Sequence, residues 1–251
     1  MRQGQQSPSA SISDAQQQAD RYNASIGDLQ DYDCQKCKNK GYRAVVRNDV
    51  MEIEQCECLA VRHSVKLFHD SNISEGYKLD NFYTTAPWQK DLLEAAYRFL
   101  EDPQGWFFVG GQVGAGKTHI CTGIVRELLR KGLSARYMMW RDDTVKIKAA
   151  VKDAEEYTRL VEPLKKVKVL YIADFFKSNY NQPTAADINL AFETLNSRYN
   201  RSDLITLISS EFVVDELIKM DEAIGSRIFE KSKYFQHNIN RDASRNYRLR
   251  A

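Results

Sequence analysis

The stretch GQVGAGKT, Gly111 to Thr118, constrains this chain more than any other segment of its length. It satisfies G-x-x-x-x-G-K-[ST] and lies between a short apolar run bounded by glycines, GWFFVGG, and the helical pattern THICTGIVRELLRKG. In the latter, Ile120, Ile124, Val125 and Leu128 carry the apolar spacing, and Gly132 marks the stop. The glycines let successive backbone N–H groups turn inward around phosphate oxygens, and the following helix points its partly positive end at the same place. Gly111, Gln112, Val113, Gly114, Ala115 and Gly116 are therefore the expected phosphate cradle. Lys117 is placed to reach the β and γ phosphates of a nucleoside triphosphate, and the Thr118 hydroxyl to ligate magnesium. His119 stands in the first turn of the helix beside the cradle, where nucleotide contact competes with a packing or solvated role.

The remaining pattern alternates between helix and strand. APWQKDLLEAAYRFLED has helical spacing in Leu92, Leu93, Ala96 and Leu100, with Pro87 at a helix start. SARYMMW, VKVLYIA and LITLISS read as strands, separated by helical stretches such as AADINLAFETLNSRYN. This alternation predicts an α/β fold, a parallel sheet with helices on both faces. With 251 residues and 43% hydrophobic content the chain can bury one ordinary core and carry a small satellite module. The expected division is 1–66 for an N-terminal tail and small module, and 67–251 for the α/β domain. The tail is rich in Gln, Ser, Ala and Asp and buries too little apolar surface to offset its ordering entropy.

Lys and Arg number 36 against 34 Asp and Glu, so any nucleic-acid surface must be local rather than global. No apolar run approaches the roughly 18 residues that span a bilayer, and the start of the chain lacks the apolar middle of a secretion signal. A cytoplasmic protein is expected.

Cys34, Cys37, Cys56 and Cys58 form C-x2-C-x18-C-x-C. Four thiolates suit tetrahedral zinc, and the two close pairs make chelating knuckles joined by a hairpin-sized insert. Redox chemistry at Cys34 and Cys37 is the competing reading, but a redox pair has no need of the second couple. Few apolar residues surround the cluster, so the metal is expected to supply much of the segment's folding free energy.

VLYIADFFK, downstream of the glycine-rich loop, reads as a buried strand ending in Asp174. Triphosphate hydrolysis uses one carboxylate at such a strand end for the magnesium shell, and in many ATPases a second acid beside it to orient water. Only Asp174 is present here, and an aspartate also favours the start of a loop.

GGQVGAGKTHIC, VLYIADFFK, LITLISSE, DEAIGSRIFE and the closing NYRLR occur in this order. Together they resemble the AAA+ replicative-helicase loaders of the DnaC/DnaI type, especially phage or mobile-element versions with an IstB-like ATPase domain. The resemblance implies a P-loop AAA+ ATPase domain that binds ATP or ADP with Mg2+, preceded by a small zinc-binding domain. In that family the strand normally ends in two acids, as VLYIDDFFK would. Ala173 then replaces the magnesium-directed aspartate and Asp174 matches the acid that orients water; in the other register Asp174 is the magnesium aspartate and Phe175 takes the catalytic place. Side-chain alternation does not decide between them. Either way one carboxylate is missing, which implies a form that binds ATP and hydrolyses it poorly.

The resemblance also makes Arg227 an arginine finger that enters a neighbouring subunit's site, implying self-assembly into a ring or an open spiral. By composition alone Arg227 is a helix arginine paired with Glu222 or Glu230. Ser209 or Ser210 holds the place of a polar sensor for the γ phosphate, with Ser210 the candidate nucleotide contact, and either serine also suits a helix cap. Arg248 is placed to face the same nucleotide or to add to a basic terminus. Loaders of this type engage single-stranded DNA through their ATPase domains; Lys177 and Tyr180 are the candidate contacts, while Phe175 and Phe176 suit the core. The N-terminal module becomes the candidate grip on a hexameric replicative helicase. An IstB-like transposition-helper ATPase and a non-hydrolysing regulator of helicase loading are the rival readings.

Overall fold

A computed structural model describes residues 13–70, 76–178 and 182–249, and the chain divides into two units between Arg62 and His63. In the first unit, helix α1 (Asp14–Ala24) starts at Ser13, whose hydroxyl accepts the Gln16 N–H. Strands β1 (Tyr42–Arg47) and β2 (Val50–Gln55) form an antiparallel hairpin with Tyr42 opposite Gln55 and Arg47 opposite Val50. The two loop residues, Asn48 and Asp49, have φ of 51° and 60°, the left-handed pair that a two-residue hairpin turn requires and that these side chains tolerate. Asn23 fastens α1 to β1: its Nδ2 donates to the Ala44 carbonyl and its Oδ1 accepts the Ala44 N–H. One side chain thus satisfies a backbone pair that the edge strand would otherwise leave open. Helix α2 (Cys58–Asp70) carries the chain into the second unit.

The second unit runs α3 (Pro87–Glu101), β3 (Trp106–Gly111), α4 (Lys117–Arg130), β4 (Ala135–Met139), α5 (Trp140–Ala149), α6 (Ala154–Lys166), β5 (Val169–Phe175), α7 (Ala185–Tyr199), β6 (Ile205–Ser210), α8 (Val214–Met220), α9 (Glu222–Lys231) and β7 (Gln236–Ile239). Its strands form one sheet in the order β4-β5-β6-β3-β7, every pairing parallel. β3 and β6 are buried along their whole length, and β5 at every residue but Asp174. That is the signature of a sheet covered on both faces. On one face Phe108, Leu170, Ile172 and Ile208 pack with Ile147, Val161, Leu164, Leu195 and Ile228 from the helices. On the other, α4 lies against β5 and β6, and Phe99 of α3 meets Phe107 edge-on at 5.5 Å. The α/β architecture read from the alternation is the one observed.

SARYMMW differs at its end. The strand stops at Met139 and Trp140 opens α5, with its indole edge-on to Phe175 and Phe176 at 4.8 and 5.4 Å. A short apolar run carries no information on whether its last residue is core from a strand or from a helix.

The amino ends of two central strands share one anchor. Arg198, in the last turn of α7, is fully buried and bonds no carboxylate; its Nη1 donates to the carbonyls of Leu164 (3.0 Å) and Val167 (2.9 Å), its Nη2 to Ile205 (2.7 Å) and its Nε to Thr206 Oγ1 (2.9 Å). It closes the carboxyl end of α6, where carbonyls lack helical partners, and ties it to the start of β6. Burial pulls the guanidinium down to about 9, and the carbonyl dipoles keep the charge solvated in place of water. Replacing it strands three buried carbonyls, so Arg198→Met is expected to lower stability by about 3 kcal/mol in chemical denaturation, whereas Arg201→Met at the surface stays within about 0.5 kcal/mol.

Candidate nucleotide and metal sites

Between β3 and α4 the glycine-rich loop turns through two left-handed residues, Gly114 (φ 71°) and Gly116 (φ 86°), the latter capping α4. A side chain at Gly114 would collide with the Asn246 side-chain oxygen. Lys117 is buried and donates from Nζ to the carbonyls of Gly111 (2.8 Å) and Gln112 (2.6 Å). Burial draws its pKa down to about 8, against the pull of the Glu211 and Asp174 carboxylates.

A cavity of about 450 Å3 opens beside the loop. Val113, Gly114, Ala115, Gly116, Lys117, Thr118 and His119 line one side of it, and Asp174, Lys177 and Glu211 another. Gly111 and Gln112 lie outside, their carbonyls holding Lys117, while the Gln112 side-chain oxygen accepts the Asp242 N–H at 2.8 Å. Arg248, one of whose two expected placements was facing the nucleotide, lines the cavity too, and sequence reasoning missed an aromatic wall there: Tyr77, Phe82, Tyr83 and Tyr247. Tyr77 stacks on His119 at 4.8 Å and Phe82 meets it edge-on at 5.3 Å. His119 Nε2 lies 2.7 Å from the Lys78 carbonyl and 2.9 Å from Asn81 Oδ1, and burial lowers its pKa against the pull of that carbonyl. The Tyr247 N–H donates to the Gly114 carbonyl at 3.0 Å, bringing the end of the chain onto the loop. No local pattern marks these residues, because they come from before the first sheet strand and after the last.

The end of β5 departs from regular pairing. Ile172 pairs with Ile208 and Phe175 with Ser210, three steps on one strand against two on its neighbour. Such a bulge places two successive residues against one and re-aims a side chain. Asp174 takes φ 52° within it and lines the cavity, while Ile172 and Phe175 both join the hydrophobic cluster on the opposite face. Ala173 is buried opposite Met139 of β4. Phe176 is also left-handed (φ 61°), a costly conformation for a bulky residue, held by stacking on Phe175 at 4.1 Å. The turn closes when the Lys177 N–H donates to the Asp174 carbonyl at 2.9 Å. The Lys177 ammonium then lies 3.2 Å from Asp174 Oδ2 and 2.7 Å from Glu211 Oε1.

Lys177, expected as a DNA contact, is therefore a cavity residue paired with two carboxylates, and Tyr180 lies outside the described residues. Ser210 is fully buried, donates to the Phe175 carbonyl (2.8 Å) and accepts the Phe212 N–H (3.1 Å); its hydroxyl is spent inside the fold, and Glu211 faces the cavity in its stead. Ser209 is likewise buried, 3.0 Å from the Tyr171 hydroxyl. Arg227 does not line the cavity. Its guanidinium sits over the rings of Phe192 (5.0 Å) and Tyr199 (5.2 Å) and donates to the Ala223 carbonyl, while Glu230 accepts a bond from Tyr199. Of the expected magnesium donors, Thr118 and Asp174 reach the same cavity, where Lys177 already holds one oxygen of the Asp174 carboxylate, Oδ2.

In the first unit the hairpin brings the cysteine pairs together. Cys34 and Cys37 precede β1, Cys56 and Cys58 follow β2, and all four sulfurs lie buried within 4.8 Å of one another. Cys34 and Cys56 are 3.8 Å apart and Cys37 and Cys58 3.5 Å, close to the roughly 3.8 Å edge of a tetrahedron built on zinc–sulfur bonds of about 2.3 Å. The Gly41 N–H points at Cys37 Sγ (3.3 Å), and Asn39 Oδ1 accepts both the Cys34 N–H and an Arg62 N–H. The cluster fits a structural zinc, with backbone and side-chain donors orienting the ligands.

Chelation is expected to expose residues 13–62 to limited proteolysis while the second unit stays protected; equal protection of both units would count against a structural metal. Lys117 gives a proton signature. The folded chain holds its proton less tightly than an unfolded lysine of pKa 10.5, so this group favours folding as pH rises from about 8 toward 10.5. Phosphate oxygens at the ammonium reverse the shift, so nucleotide binding at about pH 8.5 is expected to take up protons. Calorimetry in two buffers of different ionisation heat reads this directly, and a heat independent of buffer would remove Lys117 from the contact.

Residues 63–250 match the family model described as IstB-like ATP binding protein. Two proteins of Bacillus subtilis are similar. The uncharacterized protein YqaM is 33% identical over 193 residues, a match covering 70% of this chain and 60% of YqaM, less than two thirds of that relative's length. The phage-like element PBSX protein XkdC is 30% identical over 218 residues, covering 81% of this chain and 80% of XkdC. The solved DnaC helicase loader shares the fold with a TM-score of 0.56 at 16% identity, over 67% of this chain and 100% of that one. A phosphate loop at the carboxyl edge of a five-stranded parallel sheet, and a family match across nearly all of the unit that carries it, lead to one assignment: the chain belongs to the IstB-like ATP-binding protein family.

Proposed function

We propose that this protein is an ATP-binding helicase loader: it takes ATP at the loop of Gly111 to Thr118, grips a hexameric replicative helicase through residues 1–66 and helps deliver it onto single-stranded DNA with residues 67–251. The observation that carries this reading is the cavity that joins Lys117, Thr118, His119 and Asp174 in a chain of this family. Lys117 and the loop amides hold the phosphates, and the aromatic wall around His119 offers flat surfaces to the base. Magnesium arriving with the nucleotide would take the Thr118 hydroxyl and the Asp174 carboxylate and spread the phosphate charge. Zinc at Cys34, Cys37, Cys56 and Cys58 holds the helicase-binding unit in shape. Arg227, preorganised over two rings, is assigned to the site of a neighbouring copy, so that ATP favours a ring or spiral of subunits. Among the described residues no helix is long and apolar enough to cross a membrane, which agrees with work in the cytoplasm.

Hydrolysis is assigned a slow rate. Asp174 alone reaches the cavity from β5, and Ala173 brings no acid to the strand end. Loss of one such contributor costs several kcal/mol in the transition state, on the order of a hundredfold or more in rate, with less effect on binding. Ala173 also favours a second reading, a regulator that occupies helicase without turning over. Co-purification with a hexameric helicase followed by a loading assay with and without ATP separates the two. A loader places helicase on single-stranded DNA when ATP is supplied, a regulator holds it back, and absence of a helicase complex overturns both. Ala173→Asp is expected to raise ATP turnover at least about tenfold, and an unchanged rate would show that the missing acid is not what limits it.

A further inference from the structure

The cavity beside the phosphate loop holds a second lysine. Three cationic side chains line it, Lys117, Lys177 and Arg248, against two carboxylates, Asp174 and Glu211. Lys117 belongs to the loop; Lys177 does not, and its place is built by the backbone. The bulge of β5, the left-handed Asp174 and Phe176, and the hydrogen bond from the Lys177 N–H to the Asp174 carbonyl fold the chain back at the strand end. Phe175 and Phe176, fully buried against Trp140, hold that turn from beneath. The ammonium is thereby fixed between Asp174 Oδ2 at 3.2 Å and Glu211 Oε1 at 2.7 Å, on the ends of two adjacent strands.

We propose that Lys177 is a nucleotide-contacting residue that supplies from within the chain part of the positive charge a divalent cation usually brings, so that the protein binds a nucleoside triphosphate with little dependence on magnesium. The inference rests on the ATP-binding reading above. An ammonium carries three donors, and two are directed at carboxylates among the described residues, so a phosphate oxygen can take the third. As a compact charge in a partly desolvated cavity it acts on the phosphates more strongly than an exposed lysine would. Glu211 does two things: it holds Lys177 in position, and it lets Asp174 share its cation instead of requiring a metal to offset it. A divalent ion can still enter by loosening the Asp174 pair, but it competes with a cation already in place.

The test is equilibrium binding of a fluorescent ATP analogue to the full chain, in excess Mg2+ and in excess EDTA added just before measurement, with far-UV circular dichroism to confirm fold and elemental analysis of the desalted protein to confirm that its zinc content is the same in both conditions. The first comparison needs no variant: Kd is expected to differ by less than about threefold between the two conditions. Lys177→Met is expected to weaken binding about tenfold or more in EDTA and less in Mg2+, with Lys177→Arg restoring most of the loss. A wild-type affinity that falls more than about tenfold in EDTA, or a folded Lys177→Met protein that binds like wild type there, overturns the assignment while leaving nucleotide binding intact. Binding absent in both conditions from folded protein removes the ATP-binding reading, and this inference with it.

Discussion

A parallel sheet buried on both faces leaves little room for chemistry except at its carboxyl edge, and the phosphate loop and the carboxylates of the cavity derive from that limit. The phosphate loop leaves the end of β3, Glu211 follows β6, and Asp174 ends β5 with Lys177 folded back over it. Because β6 lies between the other two, a shift of any one strand along its neighbour would separate the loop from the carboxylates. The opposite edge prevents such a shift. Arg198 bonds the carbonyls of Val167, just before β5, and Ile205, the first residue of β6, so one fully buried cation sets both strands at their amino ends. Its bonds are to carbonyl dipoles and the Thr206 hydroxyl, which avoids burying a second charge.

The two lysines of the cavity and the two carboxylates at the ends of β5 and β6 are held in place by partners. Lys117 rests on backbone carbonyls of its own loop, and Lys177 on two acids. The first unit follows another rule, since its small hairpin buries little beyond its four sulfurs and depends on them for a centre. The two units thus centre on different groups, an apolar core in one and a cluster of four thiols in the other.

The loop from Gly111 to Thr118 was legible because its spacing encodes a backbone shape, and the α/β alternation because buried parallel strands read as unbroken apolar runs. The cysteine spacing likewise foretold a hairpin between the pairs. Three things were beyond a local reading. The aromatic wall comes from opposite ends of the second unit and meets only in the folded chain. The bulge in β5 breaks the two-residue alternation from which side-chain direction is inferred, so nothing in VLYIADFFK reveals that Asp174 shares a side with the loop while Phe175 turns away. Ser210 and Glu211 changed roles for a related reason: the serine hydroxyl bonds the carbonyl of Phe175 across the irregular pairing, leaving the glutamate at the rim. Lys177 looked like a surface lysine because the turn that brings it inward is set by two left-handed residues, neither of them glycine.

The aim of Asp174 is set by the bulge in the main chain and by the rings packed beneath it. Ala173 itself is buried opposite Met139, so an acid introduced there would enter a filled position. What this strand offers a ligand is thus dictated by how its backbone bends.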